Sequence, residues 1–96
     1  MMTIYYKIEC RPSTNDADDV VVKIVRYNDG EYSGCVHYRL VRRYKPVRSW
    51  LGLNKKYVMK TDEEFRTEIR DMIDSLQPLV GKYNYTAELA NELESE

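Results

Sequence analysis

Ninety-six residues with a formal charge of −1 make one domain, residues 1–96, of ordinary small size, with apolar chain for a single core and little left to wall a deep cleft. Hydrophobic residues at 43% and charged ones at 32% place it among soluble globular proteins, and no apolar run approaches the roughly 18–20 residues of a membrane span. Cys10 and Cys35 are too few for a disulfide framework, and the N-terminus lacks the basic and apolar parts of a signal peptide, so the expected location is cytoplasmic.

Residues 2–11 alternate, with Ile4, Tyr6, Ile8 and Cys10 on one side and Tyr5, Lys7, Glu9 and Arg11 on the other, which is the pattern of a half-buried strand. Pro12 to Asp19 reads as an exposed acidic loop. Val20 to Tyr27 is a β-branched run and predicts a second strand, and Cys35 to Tyr44 a third. Between them Asn28-Asp29-Gly30 signals a hairpin. A two-residue turn there sets Val22 opposite His37, whereas an odd-length loop sets the Val22 and Ile24 face against Val36, Tyr38 and Leu40; the apolar match favours the odd loop.

Pro46 ends or bends the third strand, Gly52-Leu53-Asn54 looks like a turn, and residues 55–60 fit a short fourth strand, unless 45–60 is a loop pinned by Trp50 and Leu51. Thr61 followed by Asp62, Glu63 and Glu64 is a capping box with acids in the first turn, and Phe65, Ile69, Met72, Ile73 and Leu76 recur at helical spacing. These predict a helix over 62–76 that stops near Gln77 because Pro78 follows. A short second helix is expected from Thr86, its end at about 92–96 frayed by Glu92, Glu94 and Glu96. The expected fold is therefore α+β: a three- to four-stranded antiparallel sheet packed on one side by a long and a short helix, a two-layer sandwich. Its uncovered sheet face would show Tyr5, Lys7, Val21, Lys23, Val25, Tyr27, His37, Arg39 and Arg43, and such exposed surface points to a partner.

Residues 32–60 hold eight Lys and Arg and no Asp or Glu, while residues 62–96 hold ten acids and three bases. The nine tyrosines add rings that can be half-buried while keeping a polar tip wet. Arg and aromatic residues anchor interfaces, so Arg39, Arg42, Arg43, Tyr44, Lys45, Arg48, Trp50, Lys55, Lys56 and Tyr57 form the candidate partner-binding set. The reading that follows is a small non-enzymatic, protein-binding regulator or inhibitor that docks on a larger macromolecule, in the manner of a phage or mobile-element accessory acting on host nucleic-acid machinery. The alternative is direct single-stranded nucleic-acid binding, with cations on phosphates and rings on bases. Against it stand the overall charge and the lack of RNA-recognition signature motifs. A homodimer through the exposed sheet face or an edge strand is compatible with either. One His, no nucleophile constellation and no phosphate loop leave catalysis without a site, and Cys10, Cys35 and His37 lack the spacing of a metal centre, so no metal or cofactor is expected.

Overall fold

The alternating N-terminal segment forms β1 (Ile4–Pro12), which pairs antiparallel with β2 (Val20–Asn28), itself paired antiparallel with β3 (Glu31–Val41) to give a sheet of order β1-β2-β3. The structure is a computed structural model and describes residues 3–48 and 55–94. The β2–β3 connection is the two-residue turn, with Asp29 at φ 53° and Gly30 at φ 84°, the left-handed pair that a tight hairpin requires. Asp29 also donates its N–H to the Thr3 carbonyl and accepts the Thr3 N–H on Oδ1, so the turn clamps the start of β1.

The odd-length loop expected from the apolar match does not form. Two register shifts, between Arg26 and Tyr27 and between Ile24 and Val25, place Ile24 opposite His37, Val22 opposite Arg39 and Val20 opposite Val41. Each shift turns the following side chains over once, so the two together restore the original parity. Gly34, at φ 130°, sits opposite Arg26 between them. Tyr38 and Leu40 consequently lie on the open face with Tyr5, Lys7, Val21, Lys23 and Tyr27, while His37 and Arg39 exchange to the helix side. The apolar match fails as a guide because β3 is an edge strand: its Val36, Tyr38 and Leu40 stay exposed and never compete for the core.

Past the sheet, one helix, α1 (Asp62–Glu94), takes 33 residues. Its start is as expected: the Glu64 N–H donates to Thr61 Oγ1 at 3.1 Å, the Thr61 N–H reaches back to Glu64 Oε1, and Asp62, Glu63 and Glu64 occupy the positive end of the dipole. The stop near Gln77 and the separate C-terminal helix are not seen, because the helix runs straight on through an exposed Pro78. Proline there removes the bond to the Asp74 carbonyl and crowds it, a loss that local propensity alone would not tolerate. Tertiary contacts oppose it. Leu79, Val80 and Tyr83 pack on the core, Ala87 is buried, and the Tyr83 ring stacks on Tyr6 at 4.9 Å. The Asn84 side chain completes the grip, accepting the Tyr6 N–H at 2.7 Å and donating to the Tyr6 carbonyl at 3.0 Å, so it stands in for a neighbouring strand at the free edge of β1.

The core lies between α1 and one side of the sheet. Val22, Ile24, Val41 and Leu76 are buried at its centre, with Tyr6, Ile8, Val20, Phe65, Ile69, Met72 and Ile73 packed around them. Among the described residues two buried polar side-chain atoms have no partner, Arg26 Nε and Asn28 Oδ1, and both belong to the bulged end of β2.

The expected fourth strand exists but does not join the sheet. β5 (Lys55–Met59) pairs antiparallel with β4 (Tyr44–Arg48) in a ribbon of its own. Pro46 is accommodated inside β4 because, among the described residues, the outer side of that strand has no neighbour awaiting an N–H. The expected turn at 52–54 and the anchors Trp50 and Leu51 lie outside the described residues.

Candidate docking arm

The ribbon is an arm. Among the described residues its backbone packs against neither α1 nor the three-stranded sheet. The molecule measures 67 × 23 × 23 Å, with a radius of gyration of 18.2 Å where a compact chain of this length has about 12–13 Å. The helix supplies about 50 Å of that length, and the five paired residues of the ribbon about 17 Å more.

Its root is fastened by charge. Arg43 donates its N–H to Asp19 Oδ1 at 2.9 Å, and its carbonyl accepts the Lys60 N–H at 2.9 Å. The Arg43 guanidinium lies 4.9 Å from the Phe65 ring centre and pairs with Asp62 at 2.7 Å. Lys45 pairs with Glu64 at 2.6 Å, and Lys60 donates to the Arg42 carbonyl at 2.6 Å and pairs with Glu68. The first turns of α1 thus neutralise three of the eight cations that stand unopposed in the local sequence. The hydrogen bond from Arg43 holds the Asp62 carboxyl below its ordinary range, and the bond from Lys45 does the same for Glu64. A lowered folded pKa means that these ties are complete above the ordinary carboxylate range and are lost as pH falls through the depressed values. We expect the methyl resonances of Val47 and Val58 to move as the pH falls through the depressed carboxylate pKa values, below the ordinary carboxylate range, read by NMR titration. A Glu64→Gln variant should show the acid-form positions of those nearest the root already at neutral pH.

Beyond the root the arm has two faces, set by which residues stand opposite one another. Tyr44 with Met59 and Pro46 with Tyr57 form one face, ending toward the Arg48 and Lys55 pair; Lys45 with Val58 and Val47 with Lys56 form the other. Both are bare: Tyr57 is 64% and Met59 54% exposed, and Tyr44, Val47 and Val58 are exposed as well. A two-stranded ribbon with no apolar side covered is marginal by itself in water.

Of the residues expected to bind, Tyr44, Lys45, Lys56 and Tyr57 come together on this arm with Arg42 at its base. Arg48 and Lys55 belong to its distal pair, though their side chains are not described, and Trp50 lies outside the described residues. Arg43 is turned inward to Asp62 and Phe65. Arg39 sits apart, on β3, donating to the Tyr38 carbonyl at 3.0 Å. The candidate set omits Val47, Val58 and Met59, whose exposure depends on the ribbon leaving the sheet, and the anchors Asp19, Asp62, Glu64 and Glu68. The local run Lys-Lys-Tyr-Val-Met over 55–59 carries no period-2 signal that would have shown a ribbon open on both faces.

A second exposed surface is the open sheet face. Tyr5 stacks on Tyr27 with ring centres 5.2 Å apart, Tyr32 meets Tyr27 edge-on at 6.2 Å, and Lys7 Nζ lies 4.7 Å over the Tyr27 ring. The Tyr27 hydroxyl donates to Glu9, which lowers the Glu9 carboxyl pKa and raises that of the phenol. Lys7 and Arg11 pair with the same carboxylate, so the positive charge of this face is partly cancelled.

Among the described residues no three His, Cys, Asp or Glu side chains converge to hold a metal ion, and no described helix is long and apolar enough to cross a membrane. The chain matches no protein-family model, and no curated protein or solved structure matches it.

Proposed function

We propose that the chain is a non-enzymatic protein-binding module, a regulator or inhibitor that docks on a larger macromolecular partner through the arm formed by β4 and β5. The observation that carries this reading is a ribbon with exposed Tyr44, Val47, Tyr57, Val58 and Met59 on its two faces, whose backbone among the described residues packs against neither the sheet nor the helix. Main-chain edges on both sides of the ribbon and rings beside cations are what a protein groove or sheet edge takes up. Neutralisation of Arg43, Lys45 and Lys60 by helix acids weakens the field that a phosphate backbone would need. Action in the cytoplasm on host nucleic-acid machinery is the setting this reading fits, because a basic aromatic arm and an acidic helix can both meet proteins built to hold nucleic acid.

Capture from host lysate and reconstitution with the purified partner provide the test. Tyr57→Ser with Met59→Ser is expected to weaken the reconstituted complex at least tenfold, about 1.4 kcal/mol, without changing the melting temperature. A partner held at full affinity by that variant would refute the arm. One observation favours the second reading, single-stranded nucleic-acid binding: the row of Tyr5, Tyr27 and Tyr32 beside Lys7 on the open sheet face. Fluorescence anisotropy of labelled oligonucleotides at about 50 and 200 mM salt separates the two, since salt-sensitive binding at low micromolar protein belongs to phosphate contacts alone.

A further inference from the structure

The two ends of the molecule carry opposite charge, and each leaves apolar side chains bare. At one end is the arm, within a stretch, residues 42–60, of seven Lys and Arg and no carboxylate, of which Arg43, Lys45 and Lys60 are paired with helix acids and Arg42, Arg48, Lys55 and Lys56 remain. At the other is the end of α1, where residues 82–96 hold four Glu and one Lys. The contacts fix this polarity: the helix start is tied to the arm root through Asp62, Glu64 and Glu68, while Tyr83 and Asn84 lie on Tyr6, toward the far end of the sheet. The helix macrodipole adds to the negative sign at the C-terminal end.

Tyr85, Leu89 and Leu93 recur at four-residue spacing there and form a stripe turned away from the sheet, which takes Tyr83 and Ala87 instead. Tyr85 is 64% and Leu93 74% exposed, and Leu89 is exposed between them. Glu88 and Glu92 line one side of the stripe, and Lys82 stands at its near end. From Tyr85 to Leu93 the stripe runs about 12 Å, and the paired part of the arm about 17 Å, so one can lie along the other.

We infer that the occupant of this stripe is the arm of a second copy of the chain, in an antiparallel pair in which each copy lends its arm to the C-terminal end of the other's helix. The inference rests on the arm being a protein-docking element, and it goes further in naming a partner for it. Charge selects this arrangement over the other self-pairings. Stripe against stripe brings Glu88 and Glu92 of both copies together, and arm against arm sets Lys56 and the Arg48 and Lys55 pair near their equals; arm against stripe alone opposes the signs. The contact has to be made between copies, because the arm and the stripe of one chain lie toward opposite ends of a 67 Å molecule. An antiparallel pair uses both arms and both stripes and therefore closes at two.

Sedimentation velocity of the full chain over a wide concentration range tests this. The expected result is a monomer–dimer equilibrium that weakens with salt. Lys56→Glu and Glu88→Lys should each weaken the dimer about tenfold. Their equimolar mixture should recover it, because one interface of the mixed pair carries both reversals and the other carries neither. Tyr57→Ser and Leu89→Ser, both on exposed positions, should lower dimerisation with circular dichroism and melting unchanged. A monomer at every concentration, chains that grow beyond a dimer, or a dimer indifferent to Tyr57→Ser would each overturn the inference. If the wild type is monomeric while Tyr57→Ser with Met59→Ser still abolishes a macromolecular partner, this inference alone fails; if those changes affect neither association, the docking role of the arm fails with it.

Discussion

Replacing Ile24 by alanine is expected to lower the unfolding free energy by about 3 kcal/mol and the melting temperature by on the order of 15 °C, measured by denaturant and thermal unfolding. Ile24 is fully buried on the central strand, between Val22 and the helix residue Leu76, in a core whose buried centre is four side chains. A domain of this kind holds roughly 5–15 kcal/mol in all, and so small a centre cannot spread the loss of three carbon atoms over many neighbours. The control is Tyr38→Ser on the open face, where the ring is exposed and the change should stay within about 0.5 kcal/mol. Equal costs at the two positions would mean that the helix does not pack on the side of the sheet assigned to it.

The second large effect has the opposite sign. Pro78→Ala should stabilise the chain by up to about 3 kcal/mol, the penalty that an internal helical proline carries relative to alanine. Pro78 is exposed, so no packing is removed, and the new N–H can bond to the Asp74 carbonyl. Part of the gain is forfeited if the proline bends the helix to suit β1, because straightening would pull Tyr83 and Asn84 away from Tyr6. The two cases separate by amide exchange at Tyr6, which slows with global stability in the first and quickens in the second. No gain in stability together with unchanged exchange at Tyr6 would contradict the helical penalty itself.

Pro78 also marks the limit of what local sequence conveys. The start of α1 is legible because a capping box is written within four residues, Thr61 to Glu64, and needs nothing from the rest of the chain. The course of the helix beyond Gln77 depends on Asn84 meeting a backbone 78 residues away, and no local pattern reports such a contact. The same contrast holds in the sheet. The alternation of β1 and β2 shows which side each residue takes, whereas the pairing of β3 turns on two bulges that the apolar match does not reveal. For the arm, the charge run located the segment and the rings Tyr44 and Tyr57, but local sequence read Asp62 and Glu64 only as capping and first-turn acids of a helix and gave Glu68 no role. They proved to be the counter-ions of the arm root, because the arm leaves and rejoins the body beside the first turns of α1.

The Asn84 clip sets a timetable for the protein during its synthesis. β1, β2 and β3 all precede residue 84 in synthesis, and until Asn84 arrives the backbone of β1 at Tyr6 lacks the two bonds that close its outer side. An unprotected strand edge on a nascent chain is a template for a neighbour on the same polysome. The asparagine that closes it follows every strand of the sheet in the chain, so a product truncated before Asn84 leaves that edge open. Such fragments should be the sticky ones.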